Sequence, residues 1–471
     1  MPFRIGLRKE VNPEAPDAPR PTLEWLSSVW AWKVRKDQPT ALPEESNIIH
    51  RPFLLIRLTL RVLGLVPFTY VKGTYQLKWC SLAAVHAVFV MLWFTALVVS
   101  TAVGITRLFS SDVFSNSQNH AMELMGVGII ASCLLNAWVD AINTLYYGRL
   151  FCDFLNSWHR LAHDTGLNPT VGLRRSSCIH SLFLFTFVVA MAISSLIGPP
   201  AMLLQIIKRL AQVLLLIPEE WLEENTLTVK VALALVALVV CHVYMCYKGS
   251  LLIFVSSCKM LKNVLKDWRM QLTNALDAIW REGEGEQTGA VGFDQLVQSH
   301  WRVVQMVRNT EKLFSVALQC FYASQVVTMC LELYLVAYRV GMQTHYERGE
   351  ALWQSLIITQ TFTVFLLVSI QASAVYEEAE ASVDVLRRGL PYNAPDCVKF
   401  HFSELITSLT GSPICITGGK FFYIHRPFII TVVGAVLSYF IIILQLMLPS
   451  VGRDRGGEAP LANLTLSDQE L

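Results

Sequence analysis

The sequence predicts an all-α membrane protein with seven transmembrane helices. Its 471 residues are 53% hydrophobic and only 16% charged. Seven segments stay apolar over the roughly 20 residues needed to cross a ~30 Å hydrocarbon core. The basic residues between those segments fall mostly on one side of the membrane, as the positive-inside rule requires.

Residues 1–46 are polar and dotted with proline, lack the apolar core of a cleavable signal peptide, and read as a cytoplasmic tail with short helical pieces around 23–32. Residues 47–68 carry Arg51, Arg57 and Arg61 among apolar neighbours. That is too charged to span and suits a helix on the inner membrane surface. The spans follow at 80–105, 121–147, 177–203, 231–256, 313–338, 351–374 and 427–448. An eighth candidate, 201–217, has Lys208 and Arg209 at its centre, and Gly198-Pro199-Pro200 breaks the helix before it. Each of those charges costs about 2.5–3.5 kcal/mol at mid-membrane. The segment reads instead as an amphipathic helix at the interface.

With seven spans, 29 of the 38 Lys and Arg residues lie in the N-terminal region and the connections 148–176, 257–312 and 375–426. Eight lie on the opposite side, and Lys248 sits inside the fourth span. The N-terminus is therefore expected in the cytoplasm and the C-terminus outside, in a multi-pass protein of the plasma membrane. The organisation reads as a cytoplasmic tail and interfacial helix (1–78), a seven-helix domain (79–448) and an extracellular tail (449–471).

Within the middle region, 257–312 and 375–426 form cytoplasmic anchor segments. The acidic, glycine-rich piece 282–289 is a hinge between two helical halves. Val264, Trp268, Leu272, Leu276 and Ile279, and then Leu296, Trp301, Val304 and Val307, recur at near-helical spacing. Such extensions are expected to pack on 375–412, where subunits could also meet. All 11 cysteines fall in spans or on the cytoplasmic side, which implies no disulfide framework. Asn463-Leu464-Thr465, in the outer tail, is a glycosylation acceptor sequence.

The last span carries Ser438-Tyr439, five apolar residues and Gln445-Leu446. Residues seven apart share a helix face, so Ser438 and Gln445 form a polar stripe that needs partners or water. This pattern resembles the C-terminal signature of the arthropod gustatory receptor family, Thr-Tyr, five hydrophobic residues, Gln-Phe. Here Ser438 stands for the threonine and Leu446 for the phenylalanine. Gly418-Gly419-Lys420-Phe421-Phe422, then Arg426-Pro427 and Gly434, precede the signature in the family's order. Leu63-Gly64-Leu65-Val66-Pro67-Phe68 is similar to an element that often precedes the family's first span.

The resemblance implies a tetrameric, ligand-gated, non-selective cation channel, homomeric or mixed with related receptors, whose last helix lines the pore. Four copies of Gln445 would present amide dipoles to hydrated cations. Ile442 and Leu446 would form apolar constrictions that gate by dewetting. Tyr439 either lines the inner pore or packs on a neighbour. The ligand, a small-molecule tastant of unassigned class, would sit among the outer halves of the spans. Candidates there are Glu332, Tyr334 and Tyr338 in span five and Trp353, Gln354 and Gln360 in span six. Glu332 is a binding residue or an interhelical hydrogen-bond partner. The set admits a sugar pocket and an apolar one alike.

His159 and His163 have the spacing of two metal ligands on a helix, but no further histidine box accompanies them, and they read as packing residues. The carboxylates Glu123 and Asp140 lie near span ends, where solvation is expected. No nucleotide, zinc, hydrolase or nucleic-acid motif is found, so neither catalysis nor a cofactor is expected, and membrane lipid is the other partner. The alternatives are a G-protein-coupled receptor, which needs the opposite topology and the DRY-like and NPxxY-like elements missing here, or a polytopic transporter, which wants paired charges at mid-membrane.

Overall fold

The computed structural model describes residues 48–110, 118–197, 201–218, 221–222, 227–282, 287–341, 348–392, 394–411 and 413–454. The tail helices expected within 1–46, residues 283–286 of the 282–289 hinge, and Asn463 lie outside the described residues, and 282 and 287–289 are helical.

Seven helices are long and apolar enough to cross a membrane, with apolar stretches at Leu82–Arg107, Leu124–Tyr146, Leu173–Ala190, Val229–Arg281, Phe293–Tyr338, Gln354–Leu386 and Arg426–Leu446. The fold is all-α apart from two short hairpins that the sequence reading did not anticipate. A short helix, α1 (Leu54–Val62), buries Ile56, Thr59 and Leu60 against later helices and leaves Leu54, Leu55, Leu58 and Val62 bare. Strands β1 (Phe68–Val71) and β2 (Thr74–Leu77) then pair through a two-residue turn, Lys72-Gly73, both with positive φ. That is the backbone that tight hairpins favour.

Helices α2 (Leu82–Ser110) and α3 (Gln118–Tyr146) cross the membrane as the first pair. In α2 the Thr95 hydroxyl bonds back to the Met91 carbonyl at 2.8 Å and that of Thr101 to Leu97 at 2.7 Å, which makes them cheap in lipid, while the Ser100 hydroxyl reaches out of the helix to the Leu214 carbonyl at 2.7 Å. Helix α4 (Gly148–Thr165) is amphipathic and buries Phe151, Phe154 and Trp158. Its Asn156 clamps strand β2 by bonding the Tyr75 N–H (2.9 Å) and carbonyl (3.0 Å). The third span is α5 (Leu173–Ile197).

Helix α6 (Ala201–Leu214) packs against α2, α3 and the fourth span, burying Ile206, Leu210, Ala211, Val213 and Leu214. Lys208 and Arg209 are half-buried, and Arg209 reaches Gln212 at 2.9 Å. Gly104 of α2 allows the close approach, because a Cβ there would stand 2.7 Å from the Val213 backbone.

The next three helices outrun any bilayer. They are α7 (Leu227–Glu282, 56 residues), α8 (Gln287–Gly341, 55 residues) and α9 (Arg348–Leu386, 39 residues). At 1.5 Å per residue α7 is about 84 Å long, nearly three times the hydrocarbon thickness. The overhanging parts bury Val264, Trp268, Leu272, Leu276 and Leu296, and the Trp268 indole donates to the Leu296 carbonyl at 3.1 Å. Arg269 pairs with Glu378 of α9 at 3.0 Å, and Arg302 with Asp164 of α4 at 2.9 Å.

One expected inward position is corrected here. Trp301 is 43% exposed and His300 is the buried one, stacked near Trp268. The helix phase is set by Val303, Met306 and Val307, all buried, and that phase turns residue 301 outward. Helix α10 (Asp396–Gly411) leans on α8 and α9. Strands β3 (Thr417–Gly418) and β4 (Phe422–Tyr423) lead into the last span, α11 (Arg426–Asp454).

Candidate functional site

Helix α11 starts from a rigid base. The β3–β4 hairpin docks on α8, with the Gly419 N–H on the Ser315 carbonyl at 3.0 Å and the Thr417 hydroxyl on Glu311. Gly419 has φ +61°, a backbone conformation that favours glycine, and lies against the Gln319 side chain. Phe422 stacks flat on Phe428 at 4.7 Å. Tyr322 of α8 meets Phe365, Phe422 and Phe428 edge-on at 5.2–5.9 Å and shares a 2.9 Å hydrogen bond with Ser369 of α9. Arg426 grips Glu377 of α9 through two bonds of 2.5 and 2.7 Å. The order of Gly-Gly, aromatics and Arg-Pro in the sequence is therefore a joint fastening α11 to α8 and α9.

Above that joint, α11 is the least covered span, with 11% of its window buried against 22–44% for the other six. Val436 and Ile443 are buried, on the side where the helix packs on α8. The opposite side is bare and includes Thr431, Gly434, Ser438, Ile442, Gln445 and Leu446. Ser438 and Gln445 share that side, as their spacing implies. Tyr439, 38% exposed, sits at the edge beside Cys330 and Tyr334 of α8.

A second feature is a buried polar cluster between α7, α8 and α9. Glu332 is 3% exposed, and one carboxylate oxygen accepts from the Thr361 hydroxyl at 2.8 Å. Gln325 bridges helices, accepting from the Tyr247 hydroxyl at 3.0 Å and donating to the Thr361 carbonyl at 2.9 Å. Lys248 is buried with its ammonium 4.2 Å from the Tyr247 ring centroid and 5.8 Å from that of Tyr244, and its charge couples to Glu332. Three buried polar atoms in this cluster make no hydrogen bond of good geometry: Glu332 Oε2, Gln360 Nε2 and the Tyr244 hydroxyl, which lies close to Gln360. A buried polar atom without a partner costs about 1–3 kcal/mol, so this cluster is where packing leaves hydrogen-bonding capacity unspent.

The expected ligand residues divide accordingly. Glu332 and Gln360 share the cluster. Tyr334 and Tyr338 are half-buried, stacked on one another at 6.3 Å, and Tyr334 lies on the α11 side of α8 beside Tyr439. Gln354 is half-buried six residues from Gln360, and the side chain of Trp353 lies outside the described residues. The sequence reading missed Tyr244, Tyr247, Gln325 and Thr361 and left Lys248 without a role. A lysine inside a span was the signal available, since intramembrane charges seek one another. Among the described residues no group of three or more His, Cys, Asp or Glu side chains could hold a metal.

Comparison with known proteins agrees with this architecture. The family model described as 7tm Chemosensory receptor matches residues 54–447. "Gustatory receptor family protein 3" of Caenorhabditis elegans is 26% identical over 167 residues, 34% of this chain. The match spans 36% of that protein's length. The solved insect olfactory receptor OR5 from Machilis hrabei superposes with a TM-score of 0.58 at 16% identity, covering 84% of this chain and 98% of that one. A second structure of that receptor, in complex with eugenol, gives a TM-score of 0.54 over the same shares, again at 16% identity.

Proposed function

The chain belongs to the 7tm chemosensory receptor family, and on that premise we propose that it is a gustatory receptor acting as a ligand-gated, non-selective cation channel. Seven apolar helices make it a multi-pass protein of the plasma membrane, and it is a receptor rather than an enzyme. In the proposed assembly four subunits, identical or related, surround a pore lined by α11. The N-terminus and the overhanging parts of α7, α8 and α9 lie in the cytoplasm, and the C-terminus lies outside.

The observation that carries this reading is the bare side of α11. A side-chain amide facing hydrocarbon without a partner costs roughly 2–7 kcal/mol. Gln445 and Ser438 lie exposed on that side, so water or a neighbouring copy is a far better surrounding for them than lipid. Gln445 then contributes neutral dipoles to passing cations, and Ile442 and Leu446 supply the apolar constriction. Tyr439, at the edge, supports the contact with α8.

The ligand site of the proposal is the α7–α8–α9 cluster. Its groups with spare hydrogen-bonding capacity are Glu332 Oε2, an acceptor, and the neighbouring Tyr244 hydroxyl and Gln360 amide. A small neutral molecule with hydroxyl groups satisfies both kinds at once. Occupancy would alter packing between α8 and α9, which hold the base of α11 through Tyr322 and Glu377.

The test is expression of tagged full-length protein with recording of whole-cell currents. Gln445→Ala and Leu446→Ala are expected to change basal current or relative cation permeability at unchanged surface expression. Unchanged currents in both variants would overturn the pore placement. Antibody access should reveal the C-terminal tag on intact cells and the N-terminal tag only after permeabilisation; the reverse pattern refutes the topology.

A further inference from the structure

We infer that a second buried site, built around Asp140, binds a monovalent cation of sodium size. Asp140 lies in α3 and was expected to be solvated near the span end; it is instead 7% exposed. The helices α4 and α7 cover it, because α3 continues straight into α4 and α7 runs on past the membrane. Its carboxylate accepts a hydrogen bond from the Ser250 hydroxyl of α7 and, among the described residues, forms no ion pair. Lys248, the buried lysine two positions from Ser250, couples to Glu332 and Cys133 and not to Asp140.

Asp140 lines a narrow cleft between α3, α7 and α8. Leu65, Phe151, Phe254, Phe314 and Leu318 make the rest of its wall apolar. Asn143, Thr144 and Ser250 also line it. The Asn143 amide nitrogen is committed to the Leu313 carbonyl at 2.8 Å, which leaves its oxygen as a free acceptor. The Thr144 hydroxyl donates to the Asp140 carbonyl at 2.8 Å and keeps its lone pairs. Four side chains that carry oxygen, one of them a carboxylate, thus line one cleft, and no basic side chain among the described residues lines it.

Burying an uncompensated carboxylate is costly, and a bound cation removes that cost. Hard oxygen donors with a single carboxylate suit an alkali cation; calcium and magnesium call for more charge or more ligands. The cation would tie α3 to α7 and α8, and its test reads cation binding and stability rather than current or tastant response. Its test is therefore independent of the pore and tastant readings.

The experiment uses full-length protein in lipid nanodiscs, with ²²Na⁺ binding and thermal unfolding measured in NaCl or choline chloride at equal ionic strength. Sodium, and not choline, is expected to raise the Tm saturably, and one ²²Na⁺ per subunit should depend on Asp140. Asp140→Asn should abolish both effects, and Ser250→Ala should weaken apparent affinity several-fold. Equal Tm in the two salts, or a sodium response surviving in Asp140→Asn, overturns the proposal. Should Asp140→Asn fail to fold, Ser250→Ala and Asn143→Ala decide it, since unchanged sodium affinity in both refutes the site.

Discussion

Helices α2 and α11 are both apolar spans with one side bare, yet the two bare sides differ in kind. On α2 the exposed side chains from Leu82 through Val85, Phe89, Leu92 and Val99 to Val103 are apolar, and the polar Thr106 and Arg107 come only at its end. On α11 Ile430, Ile441, Ile442 and Leu446 are exposed too, but Thr431, Gly434, Ser438 and Gln445 interrupt them. Exposure alone does not say what covers a membrane helix. Lipid tails are as apolar as leucine and reward neither hydroxyl nor amide, so the first pattern describes a lipid-facing helix and the second one that meets water or protein.

The sharpest way to break that distinction is chemical access. Ser438→Cys and Gln445→Cys should react with a membrane-impermeant methanethiosulfonate reagent and lose current, whereas Phe89→Cys and Leu92→Cys should stay inert. The reagent attacks thiolate, so native background is a concern only for accessible, ionisable thiols. Cys415 near the α11 base is buried, which pushes its thiol up to about 11, and burial takes Cys152 to about 12. Both should be silent near neutral pH. Equal labelling of the α2 and α11 positions would erase the difference between the two sides.

Two glycines carry the comparison from access to packing. A Cβ at Gly104 would stand 2.7 Å from backbone atoms of Val213, whereas a Cβ at Gly434 would meet nothing within 4 Å in the single chain. Gly104→Val should therefore lower folded yield, the overpacking cost being about 1–3 kcal/mol or more. Gly434→Val should leave the subunit folded and act only on assembly or current. Size-exclusion profiles with fluorescence detection separate the outcomes. A normal tetramer with normal currents in Gly434→Val would mean that nothing approaches that side of α11.

How far the sequence reveals this architecture depends on the range of the interaction. The spans, the shared side of Ser438 and Gln445, and the junction near 282–289 are properties of consecutive residues, and periodicity and composition display them. The bond of Tyr247 to Gln325, and of Asp140 to Ser250, joins residues 78 and 110 positions apart, and no helical period encodes such distances. Asp140 was misjudged because its distance from the span end was legible, while the helices that cover it were not. The split between Glu332 and Tyr334 was legible in principle: two residues apart on a helix is a turn of about 200°, so they cannot share one pocket wall. Trp301 shows the opposite limit, since one residue's error in helix phase exchanges a buried histidine for an exposed tryptophan.

The smallest expected effect concerns the ends of the two helices rather than their sides. Helix α2 begins with a local cap, the Ser81 hydroxyl accepting from the Ala84 N–H at 3.2 Å, and that contact binds it to nothing else. Helix α11 begins with Arg426, whose guanidinium holds Glu377 of α9 by two parallel bonds. Arg426 is largely exposed and Glu377 only half-buried, so the pair adds little to folding stability. Its value is directional, because a planar fork fixes the angle between α9 and α11 where a single ammonium contact would not. Arg426→Lys keeps the charge and removes the fork. It should leave expression and Tm unchanged while shifting open probability or ligand sensitivity by a few-fold. Ser81→Ala on α2 should shift neither, and a gating change of equal size there would mean that any disturbance at a helix start suffices and that the α9–α11 fork has no special part in opening.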